Sequence, residues 1–536
     1  MSGVEQPGRP AFQPPRYASP PPPRGPEQRA VVIIGAGLVG LTLALDLARR
    51  GVASVVLDDD DTVSVGSRAI CFAKRSLEIF CRLGLGEAML AKGVTWQHGR
   101  VFFQDREAYR FDLLPEAGHE CPAFINLQQY YAEAWLVEAC AATGLVELRW
   151  KHRLAEMSPR PDGATLTVET PAGGYVLEAD WLLACDGARS RVREALALPF
   201  TGRAFRDRFL IADVVMQAEF PTERWFWFDP PFHPGQSVLL HKQPDDLWRI
   251  DFQLGWEADP EAERDPDRVT ARVRSMLGPG VPFRLEWVSV YSFRCRRLER
   301  FVHGRTVFLG DSAHQVSPFG ARGGNGGIQD ADNLGWKLAA VLRGEAGEAL
   351  IASYDAERVP AAAENILHST RSTDFISPKT PAAQAYRDAV LDLAEHHAFA
   401  RPLVNSGRLS RPAVLAGSPL NTPDGFDHGA GPGTPAPDAP VAQEGVPGWL
   451  LRHLGAGFCL LVFAAPRPLD LPPRVTPLFI TPEPMRGALH DHSGLAAARF
   501  GAPAVLLRPD QHVVARFLTL DAAGIAAAHD RAMGRG

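Results

Sequence analysis

An apolar run, Val31-Val32-Ile33-Ile34, passes directly into Gly35-Ala36-Gly37-Leu38-Val39-Gly40 and then into an apolar-periodic stretch reaching Arg50. Strand, glycine turn and helix in that order form the opening of a dinucleotide-binding βαβ unit. Gly35 permits the tight turn, Gly37 lets the backbone approach a pyrophosphate, and Gly40 lets the helix close on the strand. A second apolar run, Ala53 to Leu57, ends in Asp58, which lies 18 residues beyond Gly40. An acid there is placed to accept hydrogen bonds from a ribose 2′-hydroxyl, which argues for FAD or NAD over NADP.

The chain is 536 residues long, which predicts two to four domains, and its 46% apolar and 22% charged residues are those of an ordinary globular protein. A formal net charge of −6 offers no basic field, so no nucleic-acid partner is expected. The seven cysteines are scattered and include no Cys-x-x-Cys pair, which predicts neither a disulfide framework nor a metal site. No apolar run reaches membrane-spanning length and no signal sequence is evident, so the expectation is a cytoplasmic protein without a membrane partner.

Residues 1–28 are Pro-rich and read as a disordered tail. Helices are predicted over Ser67 to Leu85, Gln128 to Ala142, Ile328 to Leu342 and roughly 346–371. Residues 201–299 are strand-like and rich in aromatics, including Trp225, Trp227, Trp248, Trp287 and Tyr291, as for a sheet walling a pocket or filled by its own core. Residues 401–440, dense in Pro, Gly and Asp, read as a linker, and residues 441–536 as a separate small α/β unit.

Two further motifs follow the glycine turn: Asp186-Gly187 after an apolar strand, and Gly310-Asp311 at a strand end before a glycine-dense loop, Gly320 to Gly327. In this order the three motifs resemble those of the group A flavoprotein monooxygenases, the single-component FAD-dependent aromatic hydroxylases, over most of residues 30–370. The chain also resembles the 3-(3-hydroxyphenyl)propionate hydroxylase and phenol hydroxylase branch. The fold the resemblance implies is α/β: a Rossmann-type FAD-binding domain (29–200 and 300–400) interleaved with a substrate-binding β-sheet domain (201–299), plus a C-terminal thioredoxin-like domain (441–536). With Cys459 alone, that last domain cannot run dithiol exchange.

Carried over by motif, Gly35, Gly37, Gly40 and Asp58 bind the ADP half of FAD, and Arg68 and Gln129 the pyrophosphate and ribityl region. Asp186 serves FAD and the nicotinamide donor, while Gly310, Asp311, Pro318, Gly323, Gly324 and Asn325 meet the ribityl chain and flavin. Ala321 and Arg322 depart from the Gly-Gln frequent in related loops. The resemblance implies NAD(P)H as a transient donor, molecular oxygen carried as a flavin C4a-hydroperoxide, and hydroxylation of a small phenolic or related aromatic substrate. No metal is implied, and a homodimer is left open.

Activation of a phenol calls for a proton acceptor or a cation near its hydroxyl, for which His241, Arg249 and Tyr291 are the candidates in the aromatic sheet. A flavin reductase or dehydrogenase without oxygen insertion, a non-enzymatic FAD-bound interaction protein, and Baeyer-Villiger or epoxidation chemistry stay open as alternatives on the same scaffold.

Overall fold

The computed structural model describes residues 13–66, 69–404 and 409–535. Its first layer is an eight-stranded sheet with a parallel centre, six strands in the order Val302–His303, Thr306–Phe308, Gly173–Ala184, Glu27–Ile34, Ser54–Asp58, Val146–Trp150, and two more, Gly163–Thr170 and Arg153–Arg160, continuing antiparallel from Gly173–Ala184. Its central strands are apolar on both faces because both faces are covered; Val32, Ile33, Val56 and Leu57 are fully buried. The helix Leu38–Arg49 packs against both Gln129–Ala142 and Gly323–Leu342, and all three share the core of this sheet. This is the Rossmann-type layer.

The second layer is another eight-stranded sheet, in the order His314–Gln315, Phe283–Arg297, Thr201–Met216, Leu247–Leu254, Ser237–Lys242, Arg224–Phe228, His98–Phe103, Arg106–Asp112. Alternation sorts its side chains. Leu210, Ala212, Val214, Leu240, Trp248, Ile250 and Phe252 face the helix Pro266–Leu277, whereas Phe209, Phe226, Phe228 and Leu239 lie on the opposite face. The sheet therefore extends beyond 201–299: a hairpin from 98–112 completes it, and that hairpin's few residues alternate too briefly to announce their partner.

The segment 13–28 is not loose, in contrast to the expected disordered tail. Tyr17 stacks on Trp150 with ring centroids 4.5 Å apart and donates its backbone N–H to Asp61 O, and Pro20 O bonds His152. Residues 1–12 of that tail lie outside the described residues. A short strand, Cys71–Ala73, precedes the helix Lys74–Arg82 where one helix from Ser67 was expected, because pairing with Phe124–Asn126 takes the backbone first. The helix expected at Ile328 begins five residues earlier, at Gly323, and Pro381–His396 is an additional helix.

Beyond residue 409 the expected linker is also packed. Phe426, Ala430, Ala436 and Ala439 join a core with the C-terminal strands, and Arg516 pairs with Asp424. Irregular backbone without periodicity can be buried when neighbouring strands satisfy its polar groups, as Val514 O does for Thr422 N–H and Val513 O for Gly433 N–H. The C-terminal unit holds a mixed seven-stranded sheet that runs from Val475–Thr481 through Phe458–Val462 and Ala504–Leu507 to the edge strand Val513–Phe517.

Candidate functional site

Two helix N-termini meet in one groove. The first turn of Leu38–Arg49 and that of Gly323–Leu342 approach so closely that a Cβ on Gly327 would lie 2.5 Å from Val39 Cγ2. Gly35 has φ +105, and a Cβ there would sit 2.5 Å from Cys185 O; a Cβ on Gly40 would sit 2.0 Å from Gly35 O. Both glycines are demanded by the fold itself. Gly37, the residue before the helix, is different: a Cβ there would meet only Glu133 Oε1 at 3.7 Å. That open side is where a pyrophosphate can approach the start of the helix, whose N-cap residue has no side chain.

Asp58 stands at the strand end beside this turn. Its Oδ2 accepts from Ala36 N–H at 2.6 Å and its Oδ1 from Asp60 N–H at 2.9 Å, which leaves lone pairs on both oxygens for ribose hydroxyls. Burial, partly offset by those two bonds, pushes its carboxyl up to about 6. Gln129 accepts from Ala69 N–H and donates to Glu133 Oε1. Glu133 went unnoticed in the sequence, yet its buried carboxylate takes Leu38 N–H at 3.0 Å and Ser64 N–H at 2.8 Å at the mouth of the turn. Arg68 lies outside the described residues.

Asp186 lies next to Cys185, whose carbonyl packs against Gly35; its Oδ2 accepts from Val192 N–H, and burial raises its carboxyl. Asp311 is exposed on the groove side of the turn at Gly310, as is Pro318 further along. Positions for a Cβ on Gly323 and Gly324 find only ordinary contacts, with Val316 and Asp311 for the first and Leu38 and Ala69 for the second. The groove thus runs from Asp58 past Gly37 and Asp311 to the start of the glycine helix. Its two acids, two helix ends and missing side chains suit an extended FAD, which would meet Asp58 and the first helix with its ADP half, Asp311 with its ribityl chain and Gly323 and Gly324 with its ring.

Asn325 does not turn its side chain to that groove. It accepts from Ala73 N–H and Ser76 Oγ and donates to Cys71 O and Ala321 O, so only its backbone remains for a ligand. Ala321 keeps φ +54, the left-handed backbone that glycine adopts more easily, and Arg322 is buried against Asn365. Behind the turn, His314 Nε2 meets Asp330 Oδ2 at 2.7 Å, and the same oxygen accepts Gly310 N–H.

Residues 28–369 match the family described as FAD binding domain.

The chain belongs to that family.

Over 384 residues this FAD-binding chain is 37% identical to 6-methylpretetramide 4-monooxygenase of Streptomyces rimosus, covering 70% of this chain and 65% of that protein. It is 32% identical over 373 residues to a 3-(3-hydroxy-phenyl)propionate/3-hydroxycinnamic acid hydroxylase of Mycolicibacterium smegmatis, covering 67% and 64%. The chain thus spans just under two thirds of the length of these relatives. In fold it is similar to the flavin-dependent monooxygenase PieE, solved with FAD and substrate, at a TM-score of 0.80 and 23% identity over 95% of this chain and 99% of that one.

On the second sheet, two of the three residues expected to act on substrate come together. His241 pairs across the sheet with Arg249, Arg249 with Asp213, and Asp213 with Trp287. On the other side of His241, the pairing of Trp225 with Leu240 sets Arg224 in the same row. All but Trp287 are buried. Arg249 Nε bonds Asp251 Oδ1 at 2.9 Å, and the nearby charges of Asp251 and Asp213 hold its guanidinium charged against the pull of burial. Burial, reinforced by Arg224 and Arg249, drives His241 well below the usual histidine range, so its ring is neutral. Tyr291 is on the same face but four residues past Trp287, about 13 Å along the strand, and is 43% exposed.

The row is capped by the small sheet containing Cys71–Ala73, Val94–Trp96 and Phe124–Asn126. The Arg224 guanidinium lies 5.9 Å from the Trp96 ring centre, and Asn126 Nδ2 donates to Lys242 O. Trp287 closes against Gly66, where a Cβ would come 2.7 Å from the indole.

Proposed function

We propose that this chain is a flavin-dependent monooxygenase that takes electrons from NAD(P)H and places one oxygen atom of O2 on a phenolic or related aromatic compound. The observation that carries this reading is the position of Cys71–Ala73. Its backbone is bonded through Asn325 to the first turn of the glycine helix, and the small sheet to which it belongs caps the buried polar row of the second sheet through Trp96. A flavin ring at that helix end and a substrate ring over the row would therefore be neighbours.

Bound FAD supplies electron storage and oxygen activation. The chain supplies the rest. The N-terminus of Gly323–Leu342 directs its unpaired backbone N–H groups and positive end towards the groove, favouring negative charge there. Neutral His241 has Nδ1 without a hydrogen-bond partner and can accept a hydrogen bond from a ring hydroxyl. Arg249, engaged with Asp251, fixes the row and adds positive charge beside that hydroxyl oxygen. Trp96, Phe226 and Trp287 keep water from the site. Tyr291 belongs to its mouth. The C-terminal unit serves as a thioredoxin-like scaffold without redox chemistry, its single cysteine buried.

The experiment is consumption of NADH or NADPH by the FAD-loaded protein under labelled O2, across a panel of phenols, aromatic acids and polycyclic aromatics. One labelled oxygen atom per product is the expected result. Electron transfer without incorporation for every compound that stimulates oxidation would replace this reading with that of a reductase.

A further inference from the structure

Cys81 and Cys121 are forty residues apart in the chain and meet in the folded protein as hydrogen-bonded free thiols, Sγ to Sγ 3.7 Å. Among the described residues no other two cysteines are in hydrogen-bond contact. Cys81 stands in the last turn of the helix Lys74–Arg82, and Gly86 makes room for it: a Cβ on that glycine would lie 2.3 Å from the Cys81 sulfur. Cys121 arrives from the other side, on a loop that the C-terminal unit clamps. Arg499 donates to Gly118 O at 2.6 Å, Asp438 Oδ2 accepts from Glu120 N–H at 3.1 Å, and Arg452 Nε donates to both carboxylate oxygens of Glu120 at 2.9 Å. A helix end, a loop and the C-terminal unit together hold the two sulfurs against each other.

The two thiols are unlike. The bond with Cys121 draws the Cys81 thiol below its ordinary value against burial, and the Arg452 guanidinium adds to the pull while Glu120 and Glu78 oppose it. The same bond, reinforced by burial, keeps Cys121 protonated. Cys81 is therefore the nucleophile of the pair and Cys121 its resolving partner. A small molecule can reach them. Cys81 is 9% exposed, and Cys121 lines an open cavity of about 550 Å³ together with His119, Thr95, Gln97 and Leu114.

We propose that Cys81 and Cys121 form a reversible disulfide under hydrogen peroxide, a covalent clasp between the helix Lys74–Arg82 and the loop leading into the cap strand Phe124–Asn126. First the Cys81 sulfur attacks one peroxide oxygen and the O–O bond breaks; Cys81 becomes a sulfenic acid, and its thiol proton leaves in a water molecule. The Cys121 sulfur then displaces the sulfenic hydroxyl group, the S–S bond forms, and the Cys121 proton leaves in a second water. Two thiols thus lose two electrons and two protons, and one peroxide is reduced to two waters. The sulfurs already touch, so the bond closes without a domain movement. It encloses residues 81–121, among them the cap strand Val94–Trp96 and the hairpin 98–112, and so restricts the unfolded chain. Nothing in this chemistry depends on the hydroxylase reading.

The test exposes the full-length FAD-loaded protein to hydrogen peroxide, quenches with catalase, alkylates the remaining thiols in denaturant and maps the peptides by mass. The expected result is one cross-link, joining the Cys81 and Cys121 peptides, formed at least about 10-fold faster than any other cysteine is modified and undone by dithiothreitol. Cys121→Ser should leave Cys81 as a sulfenic acid, captured by dimedone, and Cys81→Ser should leave Cys121 free to be alkylated. The oxidised wild type should melt at least about 2 °C above the reduced protein, a difference absent from Cys121→Ser. Cysteines 81 and 121 that stay as open to alkylation as the other five, a link to a different cysteine, or a sulfinic acid at Cys81 in place of the bond overturns the proposal. An oxidised form that melts at or below the reduced one overturns the clasp. If neither variant folds, the wild-type map and melting comparison decide alone, since they need no substitution.

Discussion

Arg508, in a turn of the C-terminal sheet, donates to both carboxylate oxygens of Glu357, at 2.5 and 3.1 Å, and neither side chain reaches solvent. Glu357 also holds Lys337 at 2.7 Å and Asn333 at 2.6 Å, both on the glycine helix whose first turn faces the flavin groove. From the same turn, Asp510 accepts from Arg75 through its carbonyl. The C-terminal unit is thereby joined to the flavin helix by buried charge.

Removing one partner of such a pair leaves the other uncompensated. Arg508→Met is expected to destabilise the protein by about 3–5 kcal/mol, measured by urea unfolding. Arg508→Met combined with Glu357→Leu should lose less than the single variant plus that of Glu357→Leu alone. Strict additivity would show that the two side chains do not act as a pair.

Asp330 sets an acid limit. Burial alone would raise its carboxyl, but His314 and Arg358 outweigh burial and bring it down to about 2. A depressed carboxyl contributes stability that is present above the unfolded value near 4 and is lost as pH falls towards 2. Asp330→Asn should flatten the stability profile between about pH 4 and 2. An unchanged slope in urea unfolding across that interval would remove Asp330 from the acid response.

Asp58 works with the opposite sign. Its folded value of about 6 lies above the unfolded one, so the stability it contributes to the ligand-free protein is present below about pH 4 and is lost as pH rises through 6. Ribose hydroxyls donate to the ionised form, so FAD affinity should rise between pH 5 and 7. Fluorescence titration of FAD should show that rise in the wild type and a weaker, flat profile in Asp58→Asn. A wild-type affinity independent of pH would separate Asp58 from the ribose.

The glycines of the turn should fail in different ways. Gly37 has φ −84 and open space beside it, so Gly37→Asp should fold with a melting temperature close to wild type yet lack flavin, its carboxylate facing both phosphate and Glu133. Gly40→Val places a Cβ 2.0 Å from Gly35 O and should not give a stable protein at all. Purified Gly37→Asp carrying a full flavin spectrum would move the cofactor elsewhere.

What was legible in the sequence was local. The strand, turn and helix at Val31 to Arg50 and the acid at Asp58 are neighbours along the chain, and their chemistry follows from spacing. The row Arg224, His241, Arg249 and Asp213 is a property of register across four strands, and no single strand carries it. Arg224 was further hidden by the aromatic run Trp225 to Phe228, which reads as wall or core. Asn325 was placed in the right segment by its motif, but only geometry shows its amide tying the helix to Cys71–Ala73. The packed stretch after residue 409 has no periodicity to read, because its backbone is satisfied by strands distant in the chain.

The N-terminal lead, finally, bears on where the polypeptide can be cut. Arg16 and Tyr17 hold Asp61, and Pro20 holds His152, whose own N–H bonds Asp58 O, so the lead braces the loop just beyond Asp58 from outside. A shortened polypeptide starting at Arg29 would keep every glycine of the turn and still lose this brace. The frontier of the nucleotide pocket is thus drawn upstream of its own signature, and a boundary chosen by motif alone would fall inside it.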